Sequence, residues 1–271
     1  MIATEHRHCQ ENARVIKARV ESVNTLTEDL FILNLTGFPE GFAPKPGMFL
    51  HVKVSPDEHP LLRRPFSIQS YRQGVAAILI RAVGVGSRIL HHLQSGEEID
   101  TLGPLGTSFP KIEKNDSILM VGGGVGVAPL IACCHEADPR SHVDFCFGVR
   151  SKSEVQGIDS FLEPNNPIHV HLSSDDGSVG HRGFCTDIAE RLLGERHYTQ
   201  VFTCGPWIMM AKAARLAREK NIPFSASLEV QMGCGLGACL ACVYETPEGD
   251  FIRSCIDGPV VDGHQVVWEK P

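Results

Sequence analysis

Four cysteines, Cys234, Cys239, Cys242 and Cys255, stand in the stretch CGLGACLACVYETPEGDFIRSC at a spacing of C-x4-C-x2-C-x12-C. Thiolates are soft ligands, and this spacing is that of a plant-type [2Fe–2S] site rather than the paired CxxC arms of a zinc ribbon. Gly233, Gly235, Gly237 and Ala238 are small. They let the loop fold closely round a cluster and turn backbone N–H groups toward its sulfurs, which stabilises the reduced, more negative state. A four-thiolate zinc site, or thiols without metal, satisfies the same count but does not need the glycines. A one-electron cluster needs a second redox group to exchange with, so the rest of the chain is read for one.

Arg64-Pro65-Phe66-Ser67 and Gly84-Val85-Gly86-Ser87 are the first candidates. An arginine pairs with a pyrophosphate, a small hydroxyl residue hydrogen-bonds an isoalloxazine edge, and a glycine turn opening a helix offers N–H donors to phosphate. Each segment alone is equally compatible with a surface ion pair or an ordinary turn. Gly122-Gly123-Gly124-Val125-Gly126 lies between the apolar run SILMV and an apolar helix, where glycines let the backbone approach a pyrophosphate. Its spacing departs from G-x-G-x-x-G. Cys204-Gly205-Pro206 ends a later strand, the position at which parallel sheets bind ligands, although burial is a common fate of a free cysteine.

These residues need elements to hold them. Up to about residue 112 the chain reads as short strands, ARVIKARVESV, LFILNL, GMFLHVKV, RPFSIQS, VAAILIRAV and EEIDTL, with one short helix at SRILHHL. Alternation broken by Gly and Pro turns predicts an antiparallel barrel. From Asn115 strands (SILMV, VDFCFGV, IHVHLS, QVFTCG) alternate with helical stretches that follow the glycine turn or lie near SEVQGIDSFL, TDIAERLL and WIMMAKAARLAREK. That rhythm predicts a parallel sheet covered on both faces. The last fifty residues, rich in Gly and Cys, break it. The expected division is a barrel over 1–112, an α/β nucleotide-binding domain over 113–223 and a small cluster domain over 224–271.

The 271 residues are 42% hydrophobic and carry a formal charge of −7, with no cluster of Lys and Arg. Nucleic-acid binding is not expected of such a surface. The N-terminal stretch MIATEHRHCQENARV has no apolar run, and no eighteen-residue apolar segment follows, so a soluble cytoplasmic protein without a membrane span is expected. In that compartment the ten cysteines point to metal, redox chemistry or burial rather than disulfides. Cys133, Cys134, Cys146 and Cys185 sit in apolar surroundings and read as core residues. His6, His8 and Cys9 read as part of a disordered tail, and the adjacent His91 and His92 as a poor ligand pair.

In chain order, RPFS, GVGS, GGGVGVAP and CGP resemble the ferredoxin reductase superfamily. Within it, GPLGTSF, SSDDGSVGHRGFCTD and SLEVQMGCGLGACLAC are similar to the electron-transfer subunits of type B dihydroorotate dehydrogenase, over roughly residues 14–262. The resemblance implies FAD in the barrel, with Arg64 on the pyrophosphate, Phe66 and Ser67 at the isoalloxazine, Pro65 between them as a further cofactor-binding residue, Ile80, Arg81 and Ala82 lining the flavin, and Gly86 and Ser87 at its phosphates. Phe66 replaces the superfamily's frequent tyrosine, keeping the aromatic body. Gly122, Gly123, Gly124 and Gly126 would form the NAD phosphate turn. Cys204, followed by Gly205 and Pro206, would be the catalytic-site residue beside the nicotinamide, without acting as a covalent nucleophile. Asp175 and Asp176 would favour a ribose hydroxyl over a 2′-phosphate.

The implied partner is an FMN-containing catalytic subunit that oxidises dihydroorotate in pyrimidine biosynthesis, assembled as a heterotetramer, with electrons passing through the [2Fe–2S] centre and FAD to NAD+. A related subunit serving a hydrogenase, a ferredoxin:NAD(P) reductase or an oxygenase reductase is the alternative within the same cofactor set. A zinc-stabilised binding module on a degenerate reductase scaffold is the alternative outside it.

Overall fold

The computed structural model describes residues 13–55, 59–155 and 167–269. His6, His8 and Cys9 lie outside them, as does most of the helix expected near SEVQGIDSFL, where a 3-10 turn at Lys152–Glu154 is the described part. Two compact units are formed. One holds the described residues up to Ser108 together with Glu229–Tyr244 and Phe251–Val260, and the other holds Phe109–Leu228, Glu245–Asp250 and the residues from Val261 on.

In the first unit β1 (Arg14–Thr25), β2 (Leu30–Thr36), β3 (Phe49–Val52), β4 (Arg64–Arg72), β5 (Val75–Arg81) and β6 (Glu98–Leu105) close a barrel in the order β1-β2-β5-β4-β3-β6, with helix α1 (Val85–His91) between β5 and β6. Every neighbouring pair is antiparallel. Alternation makes the barrel: Ile16, Ala18 and Val20 of β1, and Ala76, Ile78 and Ile80 of β5, are buried at every second position. Strand β3 is buried at all four positions, because it has a covered face on each side. Leu50 and Val52 join the barrel core, whereas Phe49 packs with Leu102, Leu105, Cys242 and Cys255.

The second unit contains β7 (Ser117–Gly123), α2 (Val127–Glu136), β8 (His142–Val149), β9 (Ile168–Ser174), β10 (His181–Arg182), α3 (Cys185–Glu195), β11 (Gln200–Cys204), α4 (Trp207–Glu219) and β12 (Phe224–Ser227). A two-stranded ribbon, β13 (Val243–Glu245) with β14 (Phe251–Arg253), precedes the last strand, β15 (Val260–Asp262). The main sheet runs β10-β9-β8-β7-β11-β12-β15, parallel from β10 to β12. Helix α3 buries Cys185, Ile188, Ala189 and Leu192, and α4 buries Met210, Ala213, Ala214 and Ala217, the i, i+3, i+4, i+7 stripe of a helix laid on a sheet.

The antiparallel barrel and the parallel α/β sheet are those expected, with the cysteine motif C-terminal. Cys133, Cys134, Cys146 and Cys185 are buried, in keeping with their apolar neighbours. The final fifty residues are shared between the units: the cysteine loop belongs to the first, and the tail returns to the second, where Trp207 Nε1 donates to the Trp268 carbonyl at 3.2 Å and Trp268 Nε1 to that of Gly263 at 2.7 Å. Among the described residues no helix is long and apolar enough to cross a membrane.

Candidate functional site

The four thiols form two pairs. Cys234 lies beside Cys239, with the Cys234 N–H donating to the Cys239 sulfur at 3.4 Å and the Leu236 N–H to the Cys234 sulfur at 3.3 Å. Cys242 and Cys255, both buried, form the second pair under Phe49, and the Gly237 N–H donates to the Cys255 sulfur at 3.2 Å. Among the described residues no three His, Cys, Asp or Glu side chains converge to hold one metal ion. Two thiol pairs supply two thiolates for each iron of a two-iron cluster. Cys234 and Cys255 differ in ease of ionisation. Burial pushes the Cys234 thiol up, but backbone N–H groups of the loop outweigh it and bring it down to about 7. Burial and the neighbouring Cys242 push Cys255 up to about 12, so this thiol depends on the charge of iron to ionise.

The barrel motifs lie on β4, β5 and α1. Arg64 opens β4 and donates to the backbone carbonyls of Leu62 and Arg63, at 2.7 and 3.2 Å. Phe66 is half-buried against the barrel core. Ile80 points into that core, and Arg81 is fixed to Asp29 at 2.8 Å. The Ser87 hydroxyl accepts from the Gly84 N–H at 3.1 Å and so fixes the start of α1, while Gly86 packs on Val54. Leu61, Leu62, Val83 and Val85 are exposed next to these motifs. Exposed apolar side chains beside an arginine and a helix-opening glycine turn fit a large planar ring with a phosphate tail.

In the second unit the two glycine turns meet. Cys204 ends β11 opposite Gly122 of β7, at the carboxyl edge of the sheet. A methyl carbon placed on Gly126 would lie 2.6 Å from the Gly205 Cα, and one on Gly205 would lie 2.9 Å from the Gly123 carbonyl oxygen. Gly205 has φ +147 and Gly124 has φ +56, conformations that side chains disfavour. The backbone is thereby bared at the end of two central strands, the place where a dinucleotide approaches an open parallel sheet. The Asp176 carboxylate accepts from the N–H and hydroxyl of Ser178, which lowers its pKa, while Asp175 is exposed.

The family model described as the iron-sulfur cluster binding domain of dihydroorotate dehydrogenase B matches residues 229–267. The NAD(+)-linked dihydroorotate dehydrogenase B electron transfer subunit of Desulforamulus reducens is 33% identical over 95% of this chain and 100% of its own. That of Clostridium acetobutylicum is 35% identical over 93% and 98%. The chain belongs to this family of electron-transfer subunits. A solved NADH-dependent reduced ferredoxin-NADP oxidoreductase, studied for flavin-based electron bifurcation, superposes with a TM-score of 0.83 at 27% identity, covering 93% of this chain and 90% of that one.

A dihydroorotate dehydrogenase B electron-transfer subunit implies a catalytic partner subunit, FAD, NAD and a [2Fe–2S] cluster. In this family member the structure adds two features that spacing alone did not reveal. One is the division of the thiols into an outer and an inner pair. The other is His51, whose ring lies against the cysteine loop at Gly235. Burial brings its imidazole down to about 4 against the pull of the nearby Arg63 and Cys234 carbonyls, neither of which reaches hydrogen-bond geometry with the ring. The signal available in sequence was a histidine in the otherwise apolar strand FLHV.

Proposed function

We propose that this subunit takes electrons from the FMN of a dihydroorotate-oxidising catalytic subunit and delivers them to NAD+. The observation that carries the reading is the paired arrangement of Cys234 with Cys239 and of Cys242 with Cys255. These four thiolates hold the [2Fe–2S] cluster. Bound FAD supplies the conversion between one-electron and hydride chemistry. Arg64 and Pro65 position its pyrophosphate, Phe66 and Ser67 its ring, Gly86 and Ser87 its phosphates, with Arg81, Ala82 and the backbone of Ile80 along the flavin. Gly122, Gly123, Gly124 and Gly126 admit the NAD pyrophosphate against bare backbone. Cys204 borders the nicotinamide, its ring site shaped by Gly205 and Pro206.

The residues round the outer thiols support a partner at this loop: Leu236 and Leu240 are 48% and 59% exposed beside the exposed Cys239. The assembly is a heterotetramer of two subunits of each kind, working in the cytoplasm, where nine described free cysteines stay reduced. The barrel, the α/β domain and the 224–271 segment serve FAD, NAD and cluster respectively. Likeness to the ferredoxin-NADP oxidoreductase supports a second reading with the same cofactors and a different partner.

The test is a visible spectrum of the anaerobically purified complex with iron, zinc and flavin analysis, followed by NAD+ reduction with dihydroorotate. Two irons and one FAD per chain with dihydroorotate-dependent NADH formation are expected. Zinc without flavin would sink the redox reading, and a full cofactor set with an FMN-free partner would favour the second one.

A further inference from the structure

Strand β3 forms a wall shared by the barrel and the cysteine loop. Leu50 and Val52 point into the barrel, and the two-residue period puts His51 on the side of Phe49, which packs on Cys242 and Cys255. His51 is fully buried, and neither ring nitrogen has a hydrogen-bond partner among the described residues. Its Nδ1 faces the loop: a methyl carbon on Gly235 would lie 2.6 Å from it. Gly235 has φ +71, so both its conformation and its lack of a side chain let the loop settle onto the imidazole.

A neutral imidazole offers one N–H donor and one bare nitrogen. An unpaired buried donor is costly, and the nearby Arg63 and Cys234 carbonyls do not reach hydrogen-bond geometry with the ring, so it is placed for an acceptor that the polypeptide does not supply. Sulfur is the acceptor that the neighbouring thiolates and a bound cluster bring to this place. We propose that His51 is a positioning residue for the cluster, donating its imidazole N–H to a sulfur on the Cys234–Cys239 side. The inference rests on the cluster assignment above. Such a bond stabilises the more negative, reduced cluster and raises its potential. The backbone of His51 pairs with Pro65 in the RPFS motif, so one residue ties the cluster loop to the strand assigned to flavin.

The test uses the complete complex, carrying wild-type chain, His51→Leu or His51→Asn, the asparagine amide standing close to where Nδ1 was. Iron content is measured first, then the cluster potential by redox titration followed by electron paramagnetic resonance, and then nitrogen couplings in samples grown with 15N-histidine. The wild-type cluster should show a histidine nitrogen coupling. In His51→Leu that coupling should vanish and the oxidised-to-reduced ratio at fixed potential should rise about tenfold, which is about 59 mV for a one-electron couple. His51→Asn should recover at least half of that shift. A full-iron His51→Leu complex with unchanged potential overturns the proposal, as does loss of iron that His51→Asn does not restore, since bulk alone would then explain the site. Absence of iron from the wild type would instead remove the cluster assignment itself.

Discussion

At the scale of single residues, the thiols are unequal, and their substitutions should be too. Cys239→Ser alters the exposed member of the outer pair, and Cys255→Ser the fully buried member of the inner pair. Both should lose the cluster's paramagnetic signal, but only Cys255→Ser should also lower the thermal midpoint, because it puts a hydroxyl into the layer formed by Phe49, Leu102 and Leu105. Iron analysis and thermal unfolding check this. A second residue matters for stability alone. Asp144, 4% exposed, accepts from Tyr198 at 2.7 Å and lies 2.6 Å from His171 Nε2 and 2.7 Å from His142 Nε2, which itself touches Arg196. Burial opposes its ionisation, but these hydrogen bonds win and hold its carboxyl well below the usual carboxylate range. A depressed folded-state pKa contributes stability above the unfolded value of about 3.9 and loses it as pH falls through the folded one. Asp144→Asn should therefore cost about 2 kcal/mol at pH 7, with the gap to wild type closing as the pH is lowered below about 4. Fluorescence of Trp207 and Trp268, both in the same unit as Asp144, reports the transition.

At the scale of elements, the meeting of two turns decides what the sheet edge can accept. Gly126→Ala would drive a methyl into the Gly205 backbone, so the β7 and β11 turns must part. Overpacking of this kind costs about 1–3 kcal/mol, and we expect at least a tenfold rise in the KM for NADH with FAD and iron content unchanged. Gly194→Ala on α3, where an added methyl meets nothing within 4 Å, is the control and should be neutral or slightly stabilising. Steady-state NADH oxidation with an artificial acceptor measures both. The long elements were legible because their periods are strong: two in β1 and β5, and the helical stripe in α3 and α4. The two-residue β10 and three-residue β15 were not, since strands so short carry no period and exist through pairing to distant neighbours. At the site, C-x4-C-x2-C-x12-C singled out four candidate ligands from spacing, whereas the contact of Gly126 with Gly205 joins residues far apart in the chain. His51 was hidden for a related reason, because its meaning lies in the loop packed on β3.

At the scale of the whole molecule, composition argued against nucleic-acid binding and a membrane span, but it could not say how the last fifty residues are shared. The cysteine loop belongs to the barrel unit, whereas Val261 onward belongs to the unit with the glycine turns. NADH oxidation by the flavin and electron exchange through the cluster should then be separable. The double variant Leu236→Asp with Leu240→Asp tests this, since it charges two exposed apolar side chains flanking Cys239 without altering a thiol. Charges placed in a desolvated interface of this kind remove about 2 kcal/mol or more of binding, roughly a thirtyfold loss of affinity. NADH oxidation with ferricyanide should stay within about twofold of wild type, because barrel and nucleotide turns are untouched. Dihydroorotate-dependent NAD+ reduction should fall with the loss of the complex and return when the catalytic subunit is supplied in excess. Size-exclusion chromatography with light scattering gives the assembly, and the two assays give the separation. Equal loss of both activities in a variant with full iron and FAD would mean that the loop serves the flavin chemistry directly rather than the partner.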